Sequence, residues 1–142
     1  MRIYEYEMTQ PTLKRSDLIH PELSYKLIGI LFDVSNELGH GYQEKYYQKA
    51  VAAALKEAGI AYAEQAPVQI NYKGKKLGIY FLDFLIDNAI VLEIKRGEHF
   101  SKTNLKQVYG YLKATGLQLG IVANFTTAGL KFKRIVHVAQ HS

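Results

Sequence analysis

Two acidic residues and a lysine interrupt the most apolar stretch of the chain, residues 82–95. Its composition predicts two strands joined by a tight turn at residues 87–89, an Asp-Asn-Ala sequence. Side chains alternate between the two faces of a strand, so Glu93 and Lys95 share one face. If the turn has three residues, Asp83 lies directly opposite Glu93, with their Cβ atoms roughly 5 Å apart. The sequence therefore predicts two carboxylates and an ammonium group on one patch of a largely buried sheet.

These three side chains are suited to metal-assisted hydrolysis. Charged groups are costly to bury without a compensating partner, and a metal ion is one such partner for carboxylates. A site with only oxygen ligands favours a hard cation such as Mg²⁺ or Mn²⁺ over zinc. Such a cation activates water and offsets the charge of a phosphate, while Lys95 could orient the water or stabilise the transition state. The alternative interpretation is a solvated ion pair between Glu93 and Lys95 on one strand face.

Another acidic residue is expected on the core-facing side of a helix earlier in the chain. A first helix is predicted to begin at residue 21 and to be stopped by Gly39, because Pro and Glu stand in its first turn and apolar residues follow at helical spacing. A second is predicted over about residues 42–58. Glu44 precedes Tyr47 by three positions, so it lies on the core-facing side of the second helix. A negative charge is also favoured at a helix start, so Glu44 is either a site acid or a helix-start acid.

A third helix is predicted between Ser101, a suitable cap, and Gly116. Its apolar residues Leu105 and Leu112 recur at helical spacing. Gln107 and Tyr111 are four positions apart, so they are expected side by side and away from that apolar line.

The order of the elements predicts the fold class. Further strands are predicted at residues 68–72, 117–124 and 130–138, with a turn at 73–76. A long helix between two strands can connect them in parallel. The prediction is an α/β domain with a central mixed β-sheet flanked by helices, over residues 21–142. Residues 1–20 are predicted to be an N-terminal extension, either a short edge strand or a tail.

Length and composition fit a single globular domain of 142 residues, with 48% hydrophobic and 22% charged residues. The formal net charge of +5 is compatible with nucleic acid or another polyanion as partner. The chain has no cysteine, which excludes disulfides and thiolate metal sites. Since neither a signal peptide nor an apolar run of roughly 20 residues is present, we expect a cytoplasmic protein without membrane contact.

Several basic residues are candidates for contact with phosphate, or else belong to solvated surfaces. They are Lys73, Lys75, Lys76, Lys102, Lys106, Lys131, Lys133 and Arg134. The eleven tyrosines are scattered along the sequence and do not predict a platform for stacking unpaired bases. Asn124 is predicted either to end a strand or to line the cleft.

Several motifs, in order, resemble those of a known family. Residues 41–47, GYQEKYY, match the signature of the GxxExxY protein family, which is similar to a branch of the PD-(D/E)xK nuclease superfamily. The match continues through NELG at 36–39, YKGKKL at 72–77, Leu-Asp at 82–83 and Glu-Ile-Lys at 93–95. Residues 107–111, QVYGY, resemble the Q-x-x-x-Y element of RecB-like and Cas4-like exonucleases. The resemblance covers about residues 22–138.

This resemblance implies a restriction-endonuclease-like fold and a metal-dependent nuclease that hydrolyses phosphodiester bonds, with DNA as the expected substrate. It implies a site for Mg²⁺ or Mn²⁺ formed by Glu44, Asp83 and Glu93. It implies Lys95 as the catalytic lysine, with Gln107 and Tyr111 positioning substrate or water.

Two positions depart from the family pattern. Leu82 stands where the superfamily name has Pro, and Ser35 stands where many family members carry His. A homodimer is expected for a lone small domain of this fold acting on duplex DNA. The alternative function is a catalytically silent nucleic-acid-binding or interaction module of the same fold.

Overall fold

The computed structural model describes the backbone of residues 2–6 and the whole of residues 19–138. Over these residues the chain forms three helices and six strands. The strands are β1 (Arg2–Tyr6), β2 (Tyr62–Tyr72), β3 (Lys75–Ile86), β4 (Ile90–Arg96), β5 (Leu119–Thr126) and β6 (Gly129–Val136). The helices are α1 (Pro21–Leu38), α2 (Glu44–Glu57) and α3 (Lys102–Thr115).

All six strands belong to one mixed sheet, in the order β1-β6-β5-β4-β3-β2. β4 and β5 are parallel, and the other neighbouring strands are antiparallel. α3 follows β4 and precedes β5, so it makes the crossover that parallel neighbours require. The predicted α/β class, a mixed sheet flanked by helices, is confirmed.

Helices cover both faces of the sheet and divide the core into two layers. Ile90, Leu92 and Ile94 of β4 pack on the side of α1 and α2. Val91 of β4 packs on the other side, against α3. β4 therefore alternates as its sequence predicts, and its middle is buried on both faces because it lies inside the sheet.

Two tight turns fix the register of β2, β3 and β4. At the predicted turn after β3, Asp87 and Asn88 both have φ of 51°, and the N–H of Ala89 donates to the Ile86 carbonyl at 2.8 Å. Asp and Asn tolerate this left-handed conformation better than other non-glycine residues. The turn before β3 is shorter than the predicted 73–76. Only Lys73-Gly74 forms it, since two residues with positive φ allow strand pairing to resume at once.

Element boundaries depart from the predictions at several other points. β2 begins at Tyr62, well before the predicted residue 68, and α2 begins at Glu44. β1 lies within the predicted N-terminal extension and pairs with β6 at the edge of the sheet. No helix within the described ranges is long and apolar enough to cross a membrane.

Candidate functional site

The strands β3 and β4 separate where the two predicted acids face each other. Regular pairing runs from the turn to Phe84 and Leu92 and stops there. At the next position the N–H of Asp83 donates to Glu93 Oε1 at 3.2 Å, and the N–H of Ile94 donates to Asp83 Oδ2 at 2.8 Å. Carboxylate oxygens thus replace the carbonyl partners of a continuous ladder. The two acids meet as the sequence predicts, and backbone hydrogen bonds hold them in the gap.

The alternation of side chains between the two faces of the β2–β3 hairpin is interrupted at Asp83. Leu82 packs in the core layer of α3, whereas Phe84 packs in the layer of α1 and α2, although strict alternation would place both on one face. On β2 the facing residue, Gln65, has φ of 49° and no partner in the β2–β3 register. This irregularity directs the Asp83 carboxylate along the sheet towards β4.

Glu93 is the more buried of the two acids, with only 1% of its surface exposed. Its Oε2 has no hydrogen-bond partner in the part of the chain that the structure describes. Burial, and then the neighbouring Asp83 carboxylate, raise the pKa of Glu93 to about 8. A cation beside Oε2 would satisfy this oxygen and favour the charged carboxylate. The residues present therefore fit a hard cation.

Glu44 reaches the same region from the start of α2. Its Oε1 lies 3.9 Å from Lys95 Nζ, and both side chains are about one-third exposed. Burial raises the pKa of Glu44, Lys95 opposes this shift, and the Asp83 carboxylate adds to it. Nearby, Arg96 Nη1 donates to the Tyr42 carbonyl at 2.9 Å and joins the end of β4 to the residues before α2. The fold thus brings the predicted third acid close to the hairpin.

The predicted pair on α3 is divided between core and solvent. Gln107 is exposed, and no hydrogen bond among residues 19–138 joins it to the acids. Tyr111 is 6% exposed, so its predicted place away from the apolar line of α3 is wrong. The reason is that β2 and β3 extend over α3 and cover this side of the helix. Tyr80 of β3 stacks on Tyr111, with ring centroids 4.2 Å apart and ring planes at 19°.

The buried tyrosine is near the acidic site. Burial raises the pKa of Tyr111, and the hydroxyl of Tyr80 and the charge of Glu93 add to this. Tyr80 also has a raised pKa, through burial first and then the charge of Glu93. Two phenol groups therefore lie within electrostatic reach of the most buried acid.

The comparison with known proteins agrees with this geometry. A family model of the PD-(D/E)XK nuclease superfamily matches residues 21–135. The chain belongs to this superfamily. Nucleases of the superfamily generally use divalent metal ions.

The fold is also similar to that of a solved structure. The crystal structure of SSO0001 superposes with a TM-score of 0.51 at 20% sequence identity, over 85% of this chain and 59% of that one. This chain therefore spans well under two thirds of the length of SSO0001. No curated protein matches the sequence. The likeness to SSO0001 concerns the fold alone.

The fold brings Asp83, Glu93 and Glu44 into one region, but these acids do not form a closed metal site. Within the described ranges, no three His, Asp or Glu side chains are grouped closely enough to hold an ion as they stand. A backbone-to-carboxylate hydrogen bond joins Asp83 to Glu93, whereas Glu44 forms a long ion pair with Lys95.

Aromatic residues near the acids were not predicted from the sequence. Tyr42 and Tyr46, on either side of Glu44 in the chain, are 46% and 45% exposed, and their rings meet edge to face at 6.2 Å. Tyr80 and Tyr111 stack near Glu93, whereas Tyr42 and Tyr46 contact each other before and after Glu44 in the chain. The available signals were the spacing of Tyr42 and Tyr46 around Glu44 and the place of Tyr80 three residues before Asp83.

Two other polar candidates have structural roles. Asn124 is buried, and its Nδ2 donates to the carbonyls of Gly97 at 3.4 Å and His99 at 3.1 Å, so it fixes the loop after β4. Arg134 is fully buried, and its guanidinium donates to Ser24 Oγ at 2.9 Å and to the Ile19 carbonyl at 3.1 Å. The suggestion that Arg134 contacts phosphate is wrong, because its side chain lies on the core-facing side of β6, where α1 covers it.

Proposed function

We propose that this chain is a metal-dependent nuclease that hydrolyses phosphodiester bonds in DNA. One observation carries the proposal. Backbone N–H groups of β3 and β4 hold the Glu93 and Asp83 carboxylates side by side, and Glu93 Oε2 is buried and lacks a partner among the described residues. The proposal takes residues 21–142 as the nuclease-like domain and residues 1–20 as its extension. It also places the chain in the GxxExxY branch of the superfamily.

The residues that would hold Mg²⁺ or Mn²⁺ are Glu44, Asp83 and Glu93. When bound, such an ion activates water and offsets negative charge on the attacked phosphate. A bound cation would also place positive charge beside the two adjoining carboxylates. That charge would oppose the burial and the repulsion that raise the pKa of Glu93.

Lys95 is the cation closest to these acids on β4. Its contact with Glu44 is long, at 3.9 Å, and about one-third exposed, so the ammonium can leave it at little cost. We assign Lys95 to the scissile phosphate, where its charge stabilises the negative charge that develops during attack.

Tyr111 has a supporting role in this scheme. It projects from α3, the ring of Tyr80 covers it, and its hydroxyl lies within the electrostatic reach of Glu93. We assign it to the orientation of Glu93. Gln107, one turn earlier and exposed, is assigned to the substrate.

The test is cleavage of labelled single-stranded and duplex DNA with Mg²⁺ or Mn²⁺. We expect Asp83→Ala, Glu93→Gln and Lys95→Ala to lower the rate by about 100-fold or more. Glu57→Gln and Lys56→Ala, at the exposed end of α2, are matched controls that should retain the parent rate. Equal activity of the parent and all three site variants would indicate a contaminant and reject the proposal.

A second candidate is a catalytically silent module that binds nucleic acid. It is favoured by the basic balance of the chain, which has a formal net charge of +5. This candidate predicts salt-sensitive DNA binding that survives Glu93→Ala, without cleavage in any divalent metal ion. Gel filtration of the same samples tests the expected homodimer.

A further inference from the structure

The β2–β3 hairpin continues well beyond the part of it that pairs with β4. We call residues 66–82 the arm. One face of the arm packs on α3 through Val68, Tyr80 and Leu82. None of the three helices in the described part of the chain covers the opposite face. On that face Leu77, Ile79 and Phe81 are 65%, 46% and 53% exposed, which is unusual for three alternating apolar residues of one strand.

The arm is strongly basic for its size. Its only charged residues are Lys73, Lys75 and Lys76, all at the tip and all exposed, and it contains no acid. Tyr72 is 58% exposed beside them, and Lys73 Nζ lies 5.3 Å from the centre of its ring. An apolar face that ends in three cations is suited to a partner that has both flat apolar groups and negative charge.

Polar side chains beside the apolar residues add hydrogen-bonding capacity. Across the strands, Pro67 pairs with Phe81 and Gln69 pairs with Ile79. Gln69 Nε2 donates to Asn71 Oδ1 at 2.8 Å, so both amides lie on the exposed side of β2 with remaining donors and acceptors.

We propose that the exposed face of the arm binds an unpaired DNA strand and leads it to Asp83. The proposal rests on the proposed function. Bases stack on apolar and aromatic side chains, and cations follow the phosphates. A duplex hides the faces of its bases, so only an unpaired strand can use both features.

The position of the arm connects this surface to the acids. Phe81 is two residues before Asp83, a distance of about 7 Å along a strand, and Lys75 is eight residues before it, about 26 Å. That length accommodates about four nucleotides, the lower end of the range for a single-strand binding surface.

A second copy of the chain is the weaker occupant. Three partly exposed side chains provide far less than the roughly 800 Å² that each partner buries in a stable interface. A symmetric pairing with both tips at the same end would also bring two groups of three lysines together.

The test measures binding without cleavage, by fluorescence anisotropy in EDTA. The ligands are a labelled oligothymidylate of about 15 nucleotides and a duplex of the same length. The first variant is Leu77→Thr with Ile79→Thr and Phe81→Thr, since threonine suits exposed strand positions. We expect it to bind the single strand at least about 10-fold more weakly and the duplex within about two-fold of the parent. Tyr25→Gln, a 52% exposed aromatic on α1, is the control.

A second variant tests the charged tip and does not disturb the apolar face. The triple variant Lys73→Asn, Lys75→Gln and Lys76→Gln should weaken single-strand binding. It should also lower the slope of log affinity against log salt concentration by about 2. The control, Lys26→Gln with Lys49→Gln and Lys56→Gln, should change that slope less. Unchanged single-strand affinity in both arm variants overturns the proposal. So does a threonine variant that turns an oligomer into a monomer in gel filtration while binding DNA like the parent. Because the binding assay contains no metal ion, its result can be interpreted even if the nuclease assay fails, and Glu57→Gln, outside both the arm and the acidic site, should bind as the parent does.

Discussion

Asp83 and Glu93 each rely on the other's strand for a hydrogen bond. Glu93 Oε1 accepts from the Asp83 N–H, and Asp83 Oδ2 accepts from the N–H of Ile94, the residue after Glu93. The fold itself therefore brings two carboxylates together, with no ion needed to gather them. The repulsion that results is a cost in free energy, which the protein relieves by keeping a proton on Glu93.

The first prediction follows from this proton. The pKa of Glu93 is about 8 in the folded chain, above its ordinary value of 4.5. Between these values the folded state binds a proton that the unfolded state does not, so stability falls as pH rises through about 8. Without divalent metal, we expect the parent to lose on the order of 3 kcal/mol of unfolding free energy between pH 5 and pH 9. Urea unfolding in EDTA measures this.

Glu93→Gln should remove most of that pH dependence, because glutamine keeps an oxygen for the Asp83 N–H and carries no charge. Glu57→Gln, at the exposed end of α2, should retain the parent profile. A Glu93→Gln protein whose stability still falls like that of the parent would show that another group carries the proton.

The second prediction separates activity from stability at Lys95. Its ion pair with Glu44 is long and partly exposed, so it contributes less than about 1 kcal/mol to folding. Lys95→Met should therefore change the unfolding free energy by less than about 1 kcal/mol, yet lower DNA cleavage by about 100-fold or more. Paired measurements of urea unfolding and cleavage rate on one preparation check this. A loss of stability large enough to unfold the variant would instead make Lys95 a structural residue.

The third prediction concerns the stacked tyrosines. Rings with centroids 4.2 Å apart should interact by about 0.5–1.5 kcal/mol beyond their burial. A double-mutant cycle with Tyr80→Ala and Tyr111→Ala should give a coupling of this size in unfolding free energy. Tyr80→Phe with Tyr111→Phe should keep the stack and therefore most of the stability. Strict additivity of the two alanine substitutions would argue that the rings do not interact in solution.

The chemistry of the hairpin could be predicted from sequence because local rules determine it. Asp-Asn turn composition gives a three-residue connection, and the register counted from that turn then brings Asp83 level with Glu93, just beyond the last regular pair. Glu44 required the resemblance to a known family, since no local rule relates the start of one helix to a distant strand.

Other features depend on contacts between distant segments. Tyr111 appeared to lie off the apolar line of α3, because the sequence does not reveal that β3 extends over that side of the helix. Arg134 looked like a surface cation on a basic strand, yet the packing of α1 encloses it beside Ser24. The reversal of the hairpin at Gln65 has no sequence signature, since a positive φ is uncommon for glutamine.

The fourth prediction concerns the crossover helix that carries Gln107 and Tyr111. A Cβ on Gly120 of β5 would lie 2.7 Å from Val108 Cγ1 of α3, closer than side-chain atoms can approach. Gly120→Ala should therefore push α3 away from the sheet and cost about 1–3 kcal/mol of stability. Val108→Ala alone should also destabilise, through a cavity. The double variant should be more stable than the sum of the two losses predicts, because the new methyl group occupies the space vacated by Val108. Urea unfolding of the four proteins measures this coupling, and additive losses would show that α3 does not pack on Gly120 as described.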